Sequence, residues 1–385
     1  MTKEKSDGND SERPRNHSIL SVGKFYYPRS GGIEIVTQEI AEEIHRCGYK
    51  SVVACFDTNE DSDEVINRVQ VTRFKARMAG PAPLSLRFLW AFRKLARRTS
   101  LVILHYPNPI AELALLFLRR SPERKIIVFY HSDLMKFGFI IERLYWAFSR
   151  FVMRRADVII TTSEAYPKGS PVLKGMLEKI RVVPLATDIE RFHVEKNLAD
   201  SPEIPFERCV LFVGRFARFK GLDVLIKSLT HLPSEYGVVL IGSGEYGDLA
   251  AKLRDELGLA DRVFMPGEIA NQELPRWYRA CDVFVLPSTL RSESFGIVSL
   301  EAMACGMPIV TTELGTGTSL YNRDGVTGRV VPPFEPEALA AGIQDCYENR
   351  VAFGSAARAE VERHYSLPAF RKNVRELLDS FAKLS

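Results

Sequence analysis

Short apolar runs alternate with amphipathic stretches along the chain from residue 18 onward. Many of these runs are continuous in Val, Ile and Leu, a pattern typical of parallel strands that are covered on both faces. In the first half the pattern predicts strands at residues 18–26, 51–56, 69–74, 101–106, 125–131, 157–162 and 180–184. In the second half it predicts strands at residues 209–214, 238–242, 262–265, 282–286, 308–312 and 329–331.

The stretches between the runs have helical periodicity. Ile33, Val36 and Ile40 recur at spacings of three and four, and Gly48 follows as a residue suited to end a helix. Strands and helices that alternate through the whole chain predict an α/β fold. The simplest architecture is a pair of Rossmann-like, doubly wound domains facing each other across a cleft, with ligands bound beyond the carboxyl ends of the strands.

A chain of 385 residues exceeds what one hydrophobic core usually fills, which favours two domains. A polar stretch containing Pro202 and Pro205 is a natural linker between them. The predicted parts are a disordered leader at 1–17, an N-terminal domain at 18–192, a linker at 193–207, a C-terminal domain at 208–366 and a last helix at 367–385. We expect the last helix to pack back on the N-terminal domain.

Composition restricts the class of protein further. The six cysteines are scattered and form no Cys-x-x-Cys pair, which predicts free, buried thiols in a reducing cytosol. No apolar run reaches the length of about 18 residues that a membrane-spanning helix needs. Residues 1–17 also lack the apolar core of a secretory signal. The sequence therefore predicts a cytoplasmic globular protein.

The net charge of +4 conceals a basic region. Between Pro83 and Arg155, 14 lysine and arginine residues stand against 4 aspartate and glutamate residues. Within this region the stretches 83–98 and 137–155 interleave aromatic and basic residues, which can seat a helix in an anionic membrane interface. The alternative is that these stretches are ordinary amphipathic helices, with the aromatic side facing the core and the basic side facing solvent. The charge favours an anionic partner, and no recognition motif points to nucleic acid.

Residues 293–308 carry the strongest chemical signal. Glu293 lies in the loop after a predicted strand, and residues 295–297 open a helix whose first N–H groups favour an anion. Glu301 is expected about two turns into this helix. Because its neighbours are apolar, its carboxylate is expected to be buried and to need hydrogen-bond donors, which ribose hydroxyls can supply.

A basic loop follows the predicted strand at 209–214. Arg215 and Lys220 lie in this loop, at the carboxyl edge of the sheet, where two positive charges can neutralise a diphosphate. Arg218, between them, is interpreted as a surface residue.

The spacing from Glu293 to Glu301 and its surroundings resemble the Glu-x(7)-Glu signature of retaining glycosyltransferases of family 4, which have the GT-B fold. The resemblance extends over nearly the whole chain from residue 18 onward. It implies that Glu301 holds the ribose of a sugar nucleotide and that Glu293 contacts the transferred sugar. It also implies that the N-terminal domain binds the acceptor and the C-terminal domain binds the donor.

The resemblance assigns roles to further residues. The implied catalytic residues are Glu293, Arg215, Lys220 and His131. The implied donor-binding residues are Glu301, Phe295, Gly296, Ile297, Gly31, Gly32, Gly242 and Ile269. The residues implied on the acceptor side are His105 and Asn108.

Asp61-Ser62-Asp63 has the Asp-x-Asp spacing of metal-dependent transferases. It stands in a hydrophilic stretch far from residues 293–308, so we interpret it as a solvated acidic turn. The resemblance implies that positive side chains and helix N-termini replace a divalent ion. No metal and no cofactor besides the donor substrate are expected.

Residues 313–328 resemble the same segment of mannosyl- and rhamnosyltransferases of bacterial surface-polysaccharide assembly. The resemblance implies GDP-mannose as the first expectation for the donor and a UDP-hexose as the second. The expected acceptor is a glycan or a polyprenyl-diphosphate-linked oligosaccharide at the inner face of the cytoplasmic membrane. A non-catalytic sugar-nucleotide-binding or scaffold protein of the same fold is the alternative function.

Overall fold

The structure is a computed structural model that describes residues 18–29, 31–80, 82–134, 138–194 and 202–382. The predicted leader at 1–17 and residues 195–201 of the predicted linker lie outside the described residues. All six cysteines are described; each is free and buried, as predicted.

Among the described residues of the first part of the chain there are ten strands. They are β1 (Ser18–Val22), β2 (Lys50–Asp57), β3 (Ser62–Ile66), β4 (Val69–Lys75), β5 (Arg77–Ala79), β6 (Ala82–Leu84), β7 (Leu101–Tyr106), β8 (Lys125–Tyr130), β9 (Val158–Thr161) and β10 (Ile180–Val182). Eight of them form one sheet in the order β10-β9-β8-β7-β1-β2-β4-β3, while β5 and β6 pair as a separate antiparallel ribbon. The helices of this part are α1 (Gly32–Arg46), α2 (Leu86–Ala96), α3 (Pro109–Leu116), α4 (Phe139–Met153) and α5 (Ala165–Gly169).

The second part of the chain contains a sheet of six strands. They are β11 (Arg208–Val213), β12 (Tyr236–Ile241), β13 (Val263–Gly267), β14 (Val283–Leu286), β15 (Ile309–Thr312) and β16 (Gly328–Val331). All their pairings are parallel, in the order β13-β12-β11-β14-β15-β16. The helices are α6 (Leu222–Ser228), α7 (Gly247–Glu256), α8 (Leu274–Ala280), α9 (Ile297–Ala304), α10 (Thr318–Tyr321), α11 (Pro336–Glu348), α12 (Arg350–His364) and α13 (Leu367–Ala382).

The order of this second sheet is that of a doubly wound Rossmann fold, in which the chain fills one side of the first strand and then the other. Every residue of β12, β14 and β15 is buried. Burying an aliphatic side chain stabilises a fold by about 1.5–3 kcal/mol, so these continuous apolar strands hold the centre of the sheet. The predicted class, two Rossmann-like α/β domains with parallel sheets, is confirmed.

Asp61 and Asp63 are exposed, as the interpretation of a solvated acidic segment requires, but Ser62–Ile66 is the edge strand β3, antiparallel to β4, and not a turn. The Asp63 carboxylate accepts a hydrogen bond from the Thr72 hydroxyl at 2.6 Å, and Asp61 forms an ion pair with Arg87. An edge strand exposed on both faces lacks a continuous apolar run, and charged residues are common there. That is why its sequence resembled a loop.

The chain divides into two compact units. The first comprises the described parts of Met1–Phe129, Arg154–Val158 and Val374–Ser385, and the second comprises those of Tyr130–Met153 and Ile159–Asn373. In the first unit, Tyr26 packs in a buried cluster with residues of α1, β2 and β4, and this cluster forms part of the core beneath the sheet.

A buried carboxylate anchors the end of α13 within the first unit. Glu43 on α1 is fully buried, and its carboxylate accepts hydrogen bonds from Arg375 Nε at 2.5 Å and from Arg46 Nη1 at 2.9 Å. The Arg375 side chain remains 54% exposed. A buried charge is costly without partners, and these two guanidinium groups offset the cost of burying the Glu43 carboxylate.

We expect Arg375→Met to lower the free energy of unfolding by about 1–2 kcal/mol, since Arg46 still compensates Glu43. Urea denaturation measures this change. The matched control is the same substitution in a Glu43→Gln background, where it should cost much less. Equal costs in the two backgrounds would contradict the pairing.

Candidate active site

The loops that the sequence singled out converge at one edge of the second sheet. β11, β12, β13 and β14 are neighbours and run parallel, so their carboxyl ends meet there. Arg215 and Lys220 follow β11, and Glu293 follows β14. The order of strands reverses between β11 and β14, which is where sheets of this kind bind ligands.

Lys220 and Glu293 form an ion pair at this edge. Lys220 Nζ lies 2.5 Å from Glu293 Oε2, and the Ser288 hydroxyl donates to the same oxygen at 3.0 Å. The two charged side chains are only 13% and 9% exposed. The sequence placed both residues in one site but did not predict that they bind each other.

Arg215 stands in a different environment within the same loop. It is exposed, and its carbonyl accepts the Ala217 N–H at 2.9 Å, but its side chain has no hydrogen-bond or ion-pair partner among the described residues. Its guanidinium group is therefore available to an anion. Arg218 is exposed as well, in agreement with its interpretation as a surface residue.

The turn that opens α9 presents backbone N–H groups. Gly296 has a φ of 80°, a conformation that favours glycine, and a Cβ there would lie 2.5 Å from Leu286 Cδ2. Among the described residues, none accepts a hydrogen bond from the N–H groups of Phe295, Gly296 or Ile297. Successive N–H groups of this kind form a concavity that binds anions.

The loop after β12 approaches the basic loop closely. Gly242 donates its N–H to the Gly267 carbonyl at 2.9 Å. A Cβ on Gly242 would lie 2.0 Å from the Gly214 carbonyl oxygen, so only glycine permits this contact. Ile269, two residues after the end of β13, is half-buried.

Glu301 is the fifth residue of α9, just over one turn from its start, so the predicted two turns are wrong. The helix begins at Ile297, later than the sequence indicated, because Gly296 adopts a left-handed conformation. Glu301 is buried, and the Tyr278 hydroxyl donates to its Oε2 at 2.8 Å. Burial raises the pKa of Glu301, while the Tyr278 hydrogen bond and the charge of Arg191 oppose that rise.

Tyr278 was missed by the sequence analysis. It lies in α8, is fully buried and contacts Phe192 and Phe284 edge-on or tilted. In the sequence it cannot be told from an ordinary core aromatic. The only available signal is indirect: a buried carboxylate requires a donor, and Tyr278 stands on the neighbouring helix.

His131 directly follows β8 and is buried. The loop around it is fixed by Asp133, whose carboxylate accepts hydrogen bonds from the hydroxyls of Tyr130 at 2.6 Å, Ser170 at 2.6 Å and Tyr166 at 3.0 Å. This network lies in the second unit, with Arg215, Lys220 and Glu293. The sequence did not predict it.

The remaining predicted residues lie in the first unit. Gly31 is the N-cap of α1, which begins at Gly32. A Cβ on Gly31 would lie 2.4 Å from Glu34 Oε2, which shows that the Glu34 carboxylate folds over this glycine. Burial raises the pKa of Glu34.

His105 and Asn108, which were predicted on the acceptor side, have buried side chains. His105 is 1% exposed, stacks on Phe129 with ring centroids 5.7 Å apart, and has a pKa lowered by burial to about 3. Asn108 is fully buried, caps α3 and donates to the Gly23 carbonyl at 3.3 Å. His105 has a core position because β7 is buried along its whole length.

The two basic aromatic stretches form helices with exposed apolar residues. On α2, Phe88 and Phe92 are buried while Trp90 is 80% exposed. On α4, a stripe of apolar residues is exposed, with Ile140 at 73% and Leu144 at 68%. None of the described helices is long and apolar enough to cross a membrane.

Two family models match the chain. The model of a glycosyl transferase 4-like domain matches residues 31–186, and the model of glycosyl transferases group 1 matches residues 194–361. Together they cover the second sheet, the first sheet apart from β1, and all the predicted site residues.

Curated relatives match along most of the chain. O-antigen chain mannosyltransferase C of Escherichia coli is 29% identical over 358 residues, which cover 90% of this chain and 94% of the relative. D-rhamnosyltransferase WbpZ of Pseudomonas aeruginosa is 30% identical over 342 residues, which cover 86% and 87%.

Solved structures share the fold. Sucrose-phosphate synthase from Thermosynechococcus elongatus superposes with a TM-score of 0.80 at 23% identity, over 96% of this chain and 100% of that one. Anabaena HepE in complex with UDP-glucose superposes with a TM-score of 0.75 at 21% identity, over 94% and 99%.

The two sheets and the loops at their carboxyl ends define a glycosyltransferase with the GT-B fold. Within that class, the chain belongs to glycosyltransferase family 4 and is a transferase enzyme. The family that the Glu-x(7)-Glu spacing indicated is thereby confirmed.

The raised pKa of Glu301 makes a prediction for stability. Because its folded-state pKa lies above the ordinary value of 4.5, the native state binds more protons between these two values. The free energy of unfolding of the wild type, relative to that of Glu301→Gln, should therefore fall as the pH rises through this interval. At pH 7 it should be lower than at acid pH. Denaturant titrations of both proteins at several pH values measure the difference. A difference that does not change with pH would contradict the assignment.

Proposed function

We propose that the protein is a retaining transferase that moves a hexose from a sugar nucleotide to a glycan or lipid-linked oligosaccharide in surface-polysaccharide assembly. The observation that carries the proposal is the Lys220–Glu293 ion pair beside the N–H groups of residues 295–297, for which no described residue supplies an acceptor. This arrangement offers positive charge and N–H donors to a diphosphate, with a carboxylate directly beside them for the sugar.

GDP-mannose is the first candidate for the donor. The names of the two relatives, a mannosyltransferase and a D-rhamnosyltransferase, support it, since rhamnose is a deoxy derivative of mannose. The complex of HepE with UDP-glucose supports a UDP-hexose as the second candidate.

The proposed reaction breaks the bond between the anomeric carbon and the diphosphate oxygen. The acceptor hydroxyl attacks the anomeric carbon from the face that the diphosphate leaves. Its proton passes to the leaving phosphate oxygen. Arg215 and Lys220 stabilise the charge that develops on the diphosphate, and no metal ion is required for that role. Glu293 and His131 contact the transferred sugar, and Glu301 accepts a hydrogen bond from the ribose.

In this proposal Lys220 shares its charge between Glu293 and the diphosphate when the donor binds. Its ammonium group carries three donors, so it can bind a phosphate oxygen while it keeps Glu293. Ser288 then becomes important, because its hydrogen bond still holds the Glu293 carboxylate when Lys220 shares its charge.

Donor binding is tested by thermal unfolding with GDP, UDP, ADP and their sugar conjugates, with and without EDTA. One nucleotide family should stabilise the protein, and EDTA should not change the shift. Arg215→Met should reduce the shift and lower turnover about 10²–10³-fold, as loss of an oxyanion-stabilising donor does.

The matched control is Arg218→Met, an exposed arginine of the same loop, which should behave as wild type. Equal behaviour of the two variants would contradict the role of Arg215. No shift with any nucleotide would favour the scaffold alternative, and a shift that EDTA abolishes would contradict metal independence.

We further propose that α4 contacts an anionic membrane at the cytoplasmic face, where a polyprenyl-diphosphate-linked acceptor would lie. Ile140, Ile141 and Leu144 are 56–73% exposed along this helix, and Arg143 between them is also exposed. Apolar residues that insert and cations that attract lipid phosphates are the two components of interfacial binding.

Cosedimentation with vesicles tests this contact. The protein should bind vesicles that contain phosphatidylglycerol, and Ile140→Ser/Leu144→Ser should weaken binding about tenfold or more. The control is Val351→Ser, which removes an apolar side chain that is 78% exposed on α12. Equal loss in both variants, or equal binding to neutral phosphatidylcholine vesicles, would count against α4 as the contact.

A further inference from the structure

Tyr321, the last residue of α10, contacts the turn that precedes α9. Its hydroxyl donates a hydrogen bond to the Phe295 carbonyl oxygen at 2.6 Å and lies 3.3 Å from the Gly296 carbonyl oxygen. Tyr321 is fully buried, and burial raises its pKa. The hydroxyl is therefore protonated at neutral pH and remains a donor.

Gly317, the residue before α10, binds the neighbouring carbonyl of the same turn. Gly317 donates its N–H to the Ser294 carbonyl at 2.7 Å. A Cβ on Gly317 would lie 2.4 Å from Phe295 Cδ2, so the two segments approach as closely as glycine allows. The carbonyl groups of Ser294 and Phe295 are thus bound by residues 317–321. The Gly296 carbonyl accepts a hydrogen bond from the Ser299 N–H at 2.9 Å and lies beside the same Tyr321 hydroxyl.

This contact fixes the direction of the N–H groups. In a trans peptide, the carbonyl of one residue and the N–H of the next point in opposite directions. Because the carbonyls of Ser294 and Phe295 face residues 317–321, the N–H groups of Phe295 and Gly296 face away from them. The N–H of Ile297 follows at the start of α9, opposite the Gly296 carbonyl. These are the three N–H groups for which no described residue supplies an acceptor.

We propose that Tyr321 is a positioning residue, whose hydroxyl orients the N–H groups of residues 295–297 for the diphosphate of the donor. The inference rests on the proposed function and adds to it a residue that the Glu-x(7)-Glu pattern does not contain. Without the hydroxyl, the Phe295 carbonyl would be buried without its partner, and the peptide could rotate toward another one. The N–H groups would then lose their common direction.

The test compares Tyr321→Phe with wild type in two binding measurements. The probes are the nucleoside diphosphate that stabilises the wild type and the matching nucleoside, which has no phosphate. Calorimetry should show about tenfold weaker binding of the diphosphate, the size expected when one hydrogen bond to a buried acceptor is lost. Affinity for the nucleoside should not change.

Tyr365→Phe is the matched control. Tyr365 is 5% exposed and belongs to the same aromatic cluster, with its ring 6.1 Å from Tyr321 and 6.2 Å from Phe295. Its hydroxyl forms no hydrogen bond with the carbonyls of the described turn. This variant should bind both probes as the wild type does.

Amide hydrogen exchange on wild-type protein gives a second measurement that does not depend on the folding of a variant. Addition of the nucleoside diphosphate should protect the N–H groups of residues 295–297, and the nucleoside should not. Equal protection by both probes would overturn the inference.

The outcomes separate the inference from the function on which it rests. A wild type that binds no nucleoside diphosphate overturns the proposed function and the inference together. A wild type that binds it, with Tyr321→Phe equally strong or equally weakened toward both probes, overturns the inference alone.

Discussion

The parallel direction of the strands β11 to β16 is the constraint on which the candidate site depends. Because all six carboxyl ends lie at one edge, loops that are distant in sequence meet there. Lys220 and Glu293 are 73 residues apart, yet their charged atoms lie 2.5 Å from each other. The reversal of strand order between β11 and β14 opens the crevice beside this pair, so the chemistry follows from the connectivity of the sheet.

Burial gives the site its electrostatic character. The carboxylates of Glu293 and Glu301 are both buried, but different groups bind them. Glu293 has a cation and a hydroxyl, whereas Glu301 has the neutral Tyr278 and a more distant arginine. Desolvation therefore raises the pKa of Glu301, and the protein accepts an unfavourable charge to keep an acceptor in a defined position.

The continuous apolar strands and the strand-end loops of the second sheet could be predicted from the sequence, since both follow from local composition. The edge strand β3 could not, because its stability comes from pairing with β4 and not from buried apolar residues. Tyr278 and Tyr321 were missed for a related reason: a tyrosine in a helix has the same sequence signal whether its hydroxyl is solvated or bound. His105 shows the converse, since a residue type common in catalysis is held in the core.

The Lys220–Glu293 pair also has a consequence for selectivity. The carboxylate acts as an intramolecular counter-ion, so any anion that enters must compete with a partner at fixed, high effective concentration. A monovalent ion that makes one contact competes poorly. A diphosphate that contacts Lys220 and the turn before α9 at once can compete because its contacts act together. If the proposed diphosphate site is correct, this pairing favours a ligand with two phosphates over small monovalent anions.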